Sequence, residues 1–148
     1  SNLAAALAEL DRIADAVHAY QHAIAYQNQL LETNPMDAAN RTNLMHIYAA
    51  LLRYQLKTKQ WSDAKNTITS YRQAAEISPE HLIPVARNIA EIATVFPASG
   101  QQKLFTTHIA SLFASAKQQG VAIDPTIMED DSFLNFKDDK RIRRMVQQ

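Results

Sequence analysis

His18 and His22 stand four residues apart in a stretch of helical periodicity, so both imidazoles share one helix face, the arrangement zinc sites use. A metal needs a third ligand close by, and on that face only Asp15 is in range. Two half-exposed histidines flanking Tyr20 are the expected reading, and no metal site is assigned. His46, His81 and His108 are isolated in sequence and read as surface or groove polar residues. The carboxylate runs Glu129-Asp130-Asp131 and Asp138-Asp139 could in principle supply an acid and a base. Lys137, Lys140, Arg141, Arg143 and Arg144 form the strongest local charge, the kind that meets RNA, DNA or an acidic lipid surface. Asp138 and Asp139 interrupt that cluster, no aromatic residue interleaves it, and cations favour the C-terminal end of a helix. A solvated capping helix is therefore expected there, with nucleic-acid binding as the lesser alternative.

Other chemistries are excluded by residues that are missing. The only glycines are Gly100 and Gly120, too few for a phosphate-cradling loop of the Walker or Rossmann kind. The serines fall in turns or on helix faces, without a nucleophile elbow. With no Cys, disulfides, thiolate catalysis and Cys-based zinc sites are impossible. No enzyme activity, cofactor or small-molecule substrate is expected. Fifteen basic residues balance fifteen acidic ones, so no overall field draws the chain to nucleic acid or to an anionic membrane. The longest uninterrupted apolar run, Ile47 to Leu52, is far short of a membrane span. A cytoplasmic location is the expectation. Ser1-Asn2, without a starting Met, reads as the scar of tag cleavage on a piece of a longer protein.

The elements that must position these residues are helices. Hydrophobic residues make up 47% of the chain, yet there are only 2 Gly and 5 Pro, which argues for long helices and against strands. A short Ala/Leu-rich helix is expected over 3–10. A second over 13–33 carries Ile13, Val17, Tyr20, Ile24 and Leu31 at close to a 3.6 period and ends at Asn34-Pro35. Asp37 is the expected N-cap of a third, running to about Thr58. The fourth opens near Ser62-Asp63 and ends before Ser78-Pro79, and Ser78 caps a fifth that carries Pro84 in its early turns and reaches about Phe96. Pro97-Ala98-Ser99-Gly100 is a turn, and a sixth helix from about Gln101 stops at Gly120. Two short helices, broken near 135–138, fill the tail. Nothing alternates with period two for long enough to be a strand.

An internal repeat decides between a closed bundle and an open stack. Leu10-Asp11-Arg12-Ile13-Ala14-Asp15-Ala16 and Thr58-Lys59-Gln60-Trp61-Ser62-Asp63-Ala64 lie 48 residues apart, and each reads as a helix end, a turn and a new helix opening on an apolar residue with Ala three later. A period of this size is the mark of a helical-hairpin solenoid. Ala16 and Ala64 suit close helix crossings, where a larger side chain would push the backbones apart. At these residues the chain resembles the tetratricopeptide repeat (TPR) family, in a long-helix bacterial variant. Ala16, Tyr20, Ala23, Ile24, Leu30 and Asn34-Pro35 match one unit, and Tyr48, Leu51, Trp61, Ala64 and Ile68 the next. Leu52 and Lys59 stand where small or Gly residues are usual, and Gln55 where an aromatic is usual.

The tail is similar to the segment that closes such arrays: Gln119-Gly120, the acidic pair Asp130-Asp131, two apolar anchors within Ser132-Phe133-Leu134-Asn135-Phe136, then a basic residue and Asp138-Asp139. That resemblance puts the carboxylates in caps and turns, where Asp binds free N–H groups. It implies an all-α, TPR-like antiparallel helical-hairpin solenoid of about six main helices, with repeats over 3–120 and a cap over 121–148. It also implies a non-catalytic interaction module at the C-terminal end of a larger bacterial protein. The register of Ala64 maps His46, Ala49, Arg53, Leu56 and Lys57 onto a concave, partner-binding face. Its two cations beside apolar residues would suit an extended peptide with acidic and apolar side chains. The Lys and Asn that clamp a terminal carboxylate in chaperone-binding relatives are replaced by Ala49 and Arg53. A structural role is the alternative, with the chain packing on an upstream domain or forming a homodimer through its apolar first helix.

Overall fold

The computed structural model describes residues 2–97 and 102–147, and every regular element within them is helical. Six α-helices run in order: α1 (Asn2–Thr33), α2 (Ala38–Lys57), α3 (Trp61–Glu76), α4 (Pro79–Val95), α5 (Gln102–Gln118) and α6 (Lys140–Gln147). Two 3-10 turns, Ile127–Glu129 and Asp131–Phe136, lie between α5 and α6. Ser1 of the expected scar, Ala98, Ser99 and Gly100 of the expected turn, and Gln101 lie outside the described residues. Among the described residues no helix is long and apolar enough to cross a membrane.

The structure corrects the expected start of the chain. The separate helices over 3–10 and 13–33 are one 32-residue helix, α1. Leu10–Ala16 sits in its middle, so the first copy of the 48-residue repeat carries no turn. The physical reason is local. Neither Gly nor Pro stands between Leu10 and Ile13, and Arg12 bonds Glu9 across one helical turn at 3.2 Å. At about 1.5 Å per residue, α1 is about 48 Å long against about 30 Å for α2, and its first turns project beyond the fold.

The other boundaries follow chain chemistry closely, except that Ser78, at the N-cap position of α4, makes no capping bond: its hydroxyl meets His81 Nδ1 at 2.9 Å instead. Asp37 caps α2 by accepting the Asn40 N–H at 2.9 Å. Gly120, at φ 73°, closes α5 in a Schellman motif: Val121 N–H bonds the Ala116 carbonyl at 2.8 Å and Gly120 N–H the Lys117 carbonyl at 3.2 Å. The same pair of bonds ends α2, from Gln60 to Gln55 at 2.8 Å and from Lys59 to Leu56 at 3.2 Å. There the left-handed residue is Lys59, at φ 61°. A side chain in that conformation costs about 1–2 kcal/mol. Lys59→Gly is therefore expected to raise stability by about 1 kcal/mol, read as a higher urea midpoint with an unchanged slope.

Packing is layered. α2 lies against α1 and α3, α4 against α3 and α5, and two further pairings join α2 to α4 and α3 to α5. Ala64 and Ala75 on α3, and Ala86, Ala90 and Ala93 on α4, are fully or almost fully buried, so α4 passes its neighbours at alanine distance. Leu52, Ile68, Leu82, Ile89, Ile109 and Leu112 fill the layers between. Gln55, where an aromatic was expected, is also buried; its Oε1 accepts from the Thr67 hydroxyl at 2.6 Å, which satisfies that oxygen in the core. The tail folds back across the last helices, with the Asp131–Phe136 turn on α4 and α6 on α5.

A candidate binding cleft between α2 and α4

Where α2 and α4 run side by side they leave an open cleft of about 490 Å³, with α3 beneath it. Met45, Ala49 and Val85 give it an apolar floor. The methyl of Ala49 is the reason space remains, because a longer side chain at that inward position would fill it. Arg53 and His46 stand on the α2 wall, Pro84 and Asn88 on the α4 wall. Among the described residues no carboxylate lines the cleft, and the guanidinium of Arg53 is its one permanently charged group.

Arg53 is held in place from behind. Its NH2 donates to Asn88 Oδ1 at 2.9 Å, and Asn88 Nδ2 donates to the hydroxyl of Tyr71 at 2.8 Å. Tyr71 is buried and stacked on Tyr48, with ring centroids 6.1 Å apart and planes 23° apart. Burial pushes the Tyr71 phenol above its usual range, against the opposing pull of Asn88 and of the Arg53 charge. The phenol thus stays neutral and keeps accepting. The relay orients a cation that would otherwise sample many rotamers, and its free N–H groups can donate to an acceptor in the cleft.

Of the five residues mapped to this face, the structure brings His46, Ala49 and Arg53 together. Leu56 does not join them; it is 2% exposed and belongs to the core. It falls on the same inward stripe as Ala49, two turns on, and there the longer side chain leaves no gap. Lys57 is exposed and lies beyond the end of the cleft. Tyr71 and Asn88 were not singled out by the sequence. They reach Arg53 from α3 and α4, across separations that no local spacing encodes.

The remaining polar candidates sit elsewhere. His18 and His22 are exposed and meet edge to face at 5.5 Å. Among the described residues no three His, Asp or Glu side chains converge as a ligand set. His81 bridges Thr42 Oγ1 at 3.2 Å and Ser78 Oγ at 2.9 Å, joining α4 to α2. Asp130 accepts the Ser132 N–H and Asp139 the Ile142 N–H, so both act as caps. Arg143 bonds the Lys137 carbonyl and pairs with Asp138 at 4.0 Å. His108 was read as a surface or groove residue, and the structure overturns that. It is buried on α5, where Nδ1 accepts from Arg72 Nε at 2.9 Å. Arg72 also pairs with Glu76 at 2.7 Å, and the same Glu76 oxygen accepts the Ser111 hydroxyl at 3.0 Å. This network pins α3 to α5.

No family model, curated protein or solved structure matches the chain. What can be said of its function therefore rests on the cleft and on the packing around it.

Proposed function

We propose that this chain is a non-catalytic protein-interaction module with TPR-like architecture, taking an extended peptide or a partner's protruding segment into the α2–α4 cleft. The observation that carries the reading is the cleft itself, an open apolar trough with one oriented cation and, among the described residues, no carboxylate. Peptide recognition needs that combination: apolar pockets for alternate side chains and a fixed donor for orientation. The pairing of each helix with its neighbour and of α2 with α4 and α3 with α5 supports a stack of hairpins. So do the small residues on α3 and α4 and the tail that covers the last layer. A segment with an acidic side chain next to small apolar ones fits the lining best.

The test is selection of binding peptides from a random display library, followed by titration of the selected sequences against variants. Arg53→Glu is expected to weaken binding at least tenfold, and Ala50→Trp, which fills the cleft from its rim, to abolish it. Lys57→Glu, beyond the cleft, is expected to change affinity less than threefold. Selected peptides that bind all three variants equally would move the site off this face, and the absence of any binder would count against the module reading. Circular dichroism of each variant separates lost binding from lost fold.

A further inference from the structure

The relay behind Arg53 dictates which hydrogens are left over. A guanidinium only donates, so the Asn88 amide must turn its oxygen toward Arg53, as the 2.9 Å contact from Nη2 requires. The amide nitrogen then faces Tyr71 at 2.8 Å, and it too can only donate. The phenol oxygen is therefore the acceptor, and its own proton must point elsewhere. Among the described residues nothing accepts that proton or the second Nδ2 hydrogen of Asn88. Tyr71 is 2% exposed and lines the cleft, so its hydroxyl is a buried donor at the foot of the trough and not a surface group.

Three helices, α2, α3 and α4, thus bring to one cleft side chains whose uncommitted groups are all N–H and O–H. A set of donors around a guanidinium selects an oxyanion. We propose that Arg53, Asn88 and Tyr71 form a subsite for one carboxylate group of the ligand, with Tyr71 donating from beneath; the assignment rests on the cleft being the binding site proposed above. A carboxylate suits the subsite in charge. Its single negative charge is balanced by Arg53, and its two oxygens share the hydrogens of all three residues. A phosphate dianion would carry a second charge into the cleft, where Arg53 is the one permanent cation among the described residues. The other basic side chain there, His46, is exposed and stands seven residues from Arg53, about 10 Å along α2. One helical turn from Arg53 and from Asn88 lie Ala49 and Val85, whose apolar surface takes the aliphatic part of the same ligand group.

Butyrate is the probe, titrated at neutral pH into the isotope-labelled chain and read by NMR at the Asn88 side-chain amide and the Arg53 Nε–H. It is expected to shift both signals saturably. Butyramide, the same shape without the charge, should bind at least roughly tenfold more weakly. Propyl phosphate, mostly a dianion at this pH, should also bind more weakly than butyrate. Tyr71→Phe removes only the hydroxyl and keeps the ring on Tyr48; it should weaken butyrate roughly tenfold, the loss of one hydrogen bond to a charged group. Asn88→Asp should abolish binding with the fold kept, because the introduced carboxylate takes the Arg53 charge and the Tyr71 proton for itself. Circular dichroism checks the fold of both variants. Butyrate binding unchanged by either substitution, or butyramide or propyl phosphate binding as tightly as butyrate, would overturn the subsite. So would the absence of any shift at Asn88 and Arg53, even where selected peptides still occupy the cleft and uphold the interaction module. Saturable, Tyr71-dependent butyrate binding would uphold the subsite even if no peptide were selected, and the failure would then belong to the peptide reading.

Discussion

Phe133→Ala is expected to lower the stability of the whole chain by about 3–5 kcal/mol, the cost of removing a fully buried phenylalanine from a packed core. Phe133 is inaccessible to solvent and its ring lies 5.9 Å from that of Phe113 on α5, tilted by 31°. It anchors the Asp131–Phe136 turn against α4, and Phe136 and Ile142 beside it are buried as well. Loss of this anchor removes one wall of the last layer and uncovers Phe113 on α5. Urea unfolding followed by circular dichroism measures the effect. Leu134→Ala is the control: the neighbouring residue is 62% exposed, and its truncation should change stability by no more than about 0.5 kcal/mol. Equal effects at 133 and 134 would mean that the tail is not part of the core.

Acidification should also destabilise the chain through His108. Burial, and then the positive charge of Arg72, lower its pKa to about 4, with Glu76 pulling weakly the other way. The geometry demands the same protonation state, because Nδ1 can accept the Arg72 N–H only if it carries no proton. In the unfolded chain the imidazole takes up a proton near its ordinary pKa of about 6.5. Between that pH and about 4 the unfolded state therefore binds one more proton than the folded state, and stability falls as pH falls. The contribution is fully present above about pH 6.5 and lost below about 4. The full shift corresponds to about 3 kcal/mol at 1.36 kcal/mol per unit; solvent screening brings the expected loss to about 2 kcal/mol. Stability curves at pH 7 and pH 4.5 for the parent and for His108→Gln check this. The variant should lose much of the acid dependence across that window, and an unchanged pH slope would show that other groups set it.

How far the fold was legible depended on whether a signal was local. Asp37, Asn34-Pro35, Ser78-Pro79 and Gly120 marked helix ends because caps and breakers act on the backbone within a few residues. Lys59 could be recognised as standing in a glycine's place, and its left-handed backbone shows that the motif's hydrogen bonds outweigh the strain. The break expected after Leu10 failed because it rested on likeness to Thr58–Ala64 and not on a breaking residue. Without Gly or Pro, the helical bonds simply continue through 10–13.

The cleft was legible only in part. Residue spacing put His46, Ala49 and Arg53 on one face of α2, since helical periodicity is a property of the chain itself. It could not tell that Leu56 fills its space while Ala49 leaves one open, because that depends on how closely α4 approaches. Nor could it foresee that Asn88 and Tyr71 would fix Arg53, or that His108 would be buried neutral against Arg72. By itself, then, the sequence determined the all-helical class, most helix boundaries and the absence of cysteine chemistry. The tertiary structure decided which of the marked side chains meet, which are buried and which stay free. Capping and periodicity are short-range energies written residue by residue, whereas a relay, a cavity or a shifted pKa exists only once distant helices are packed together.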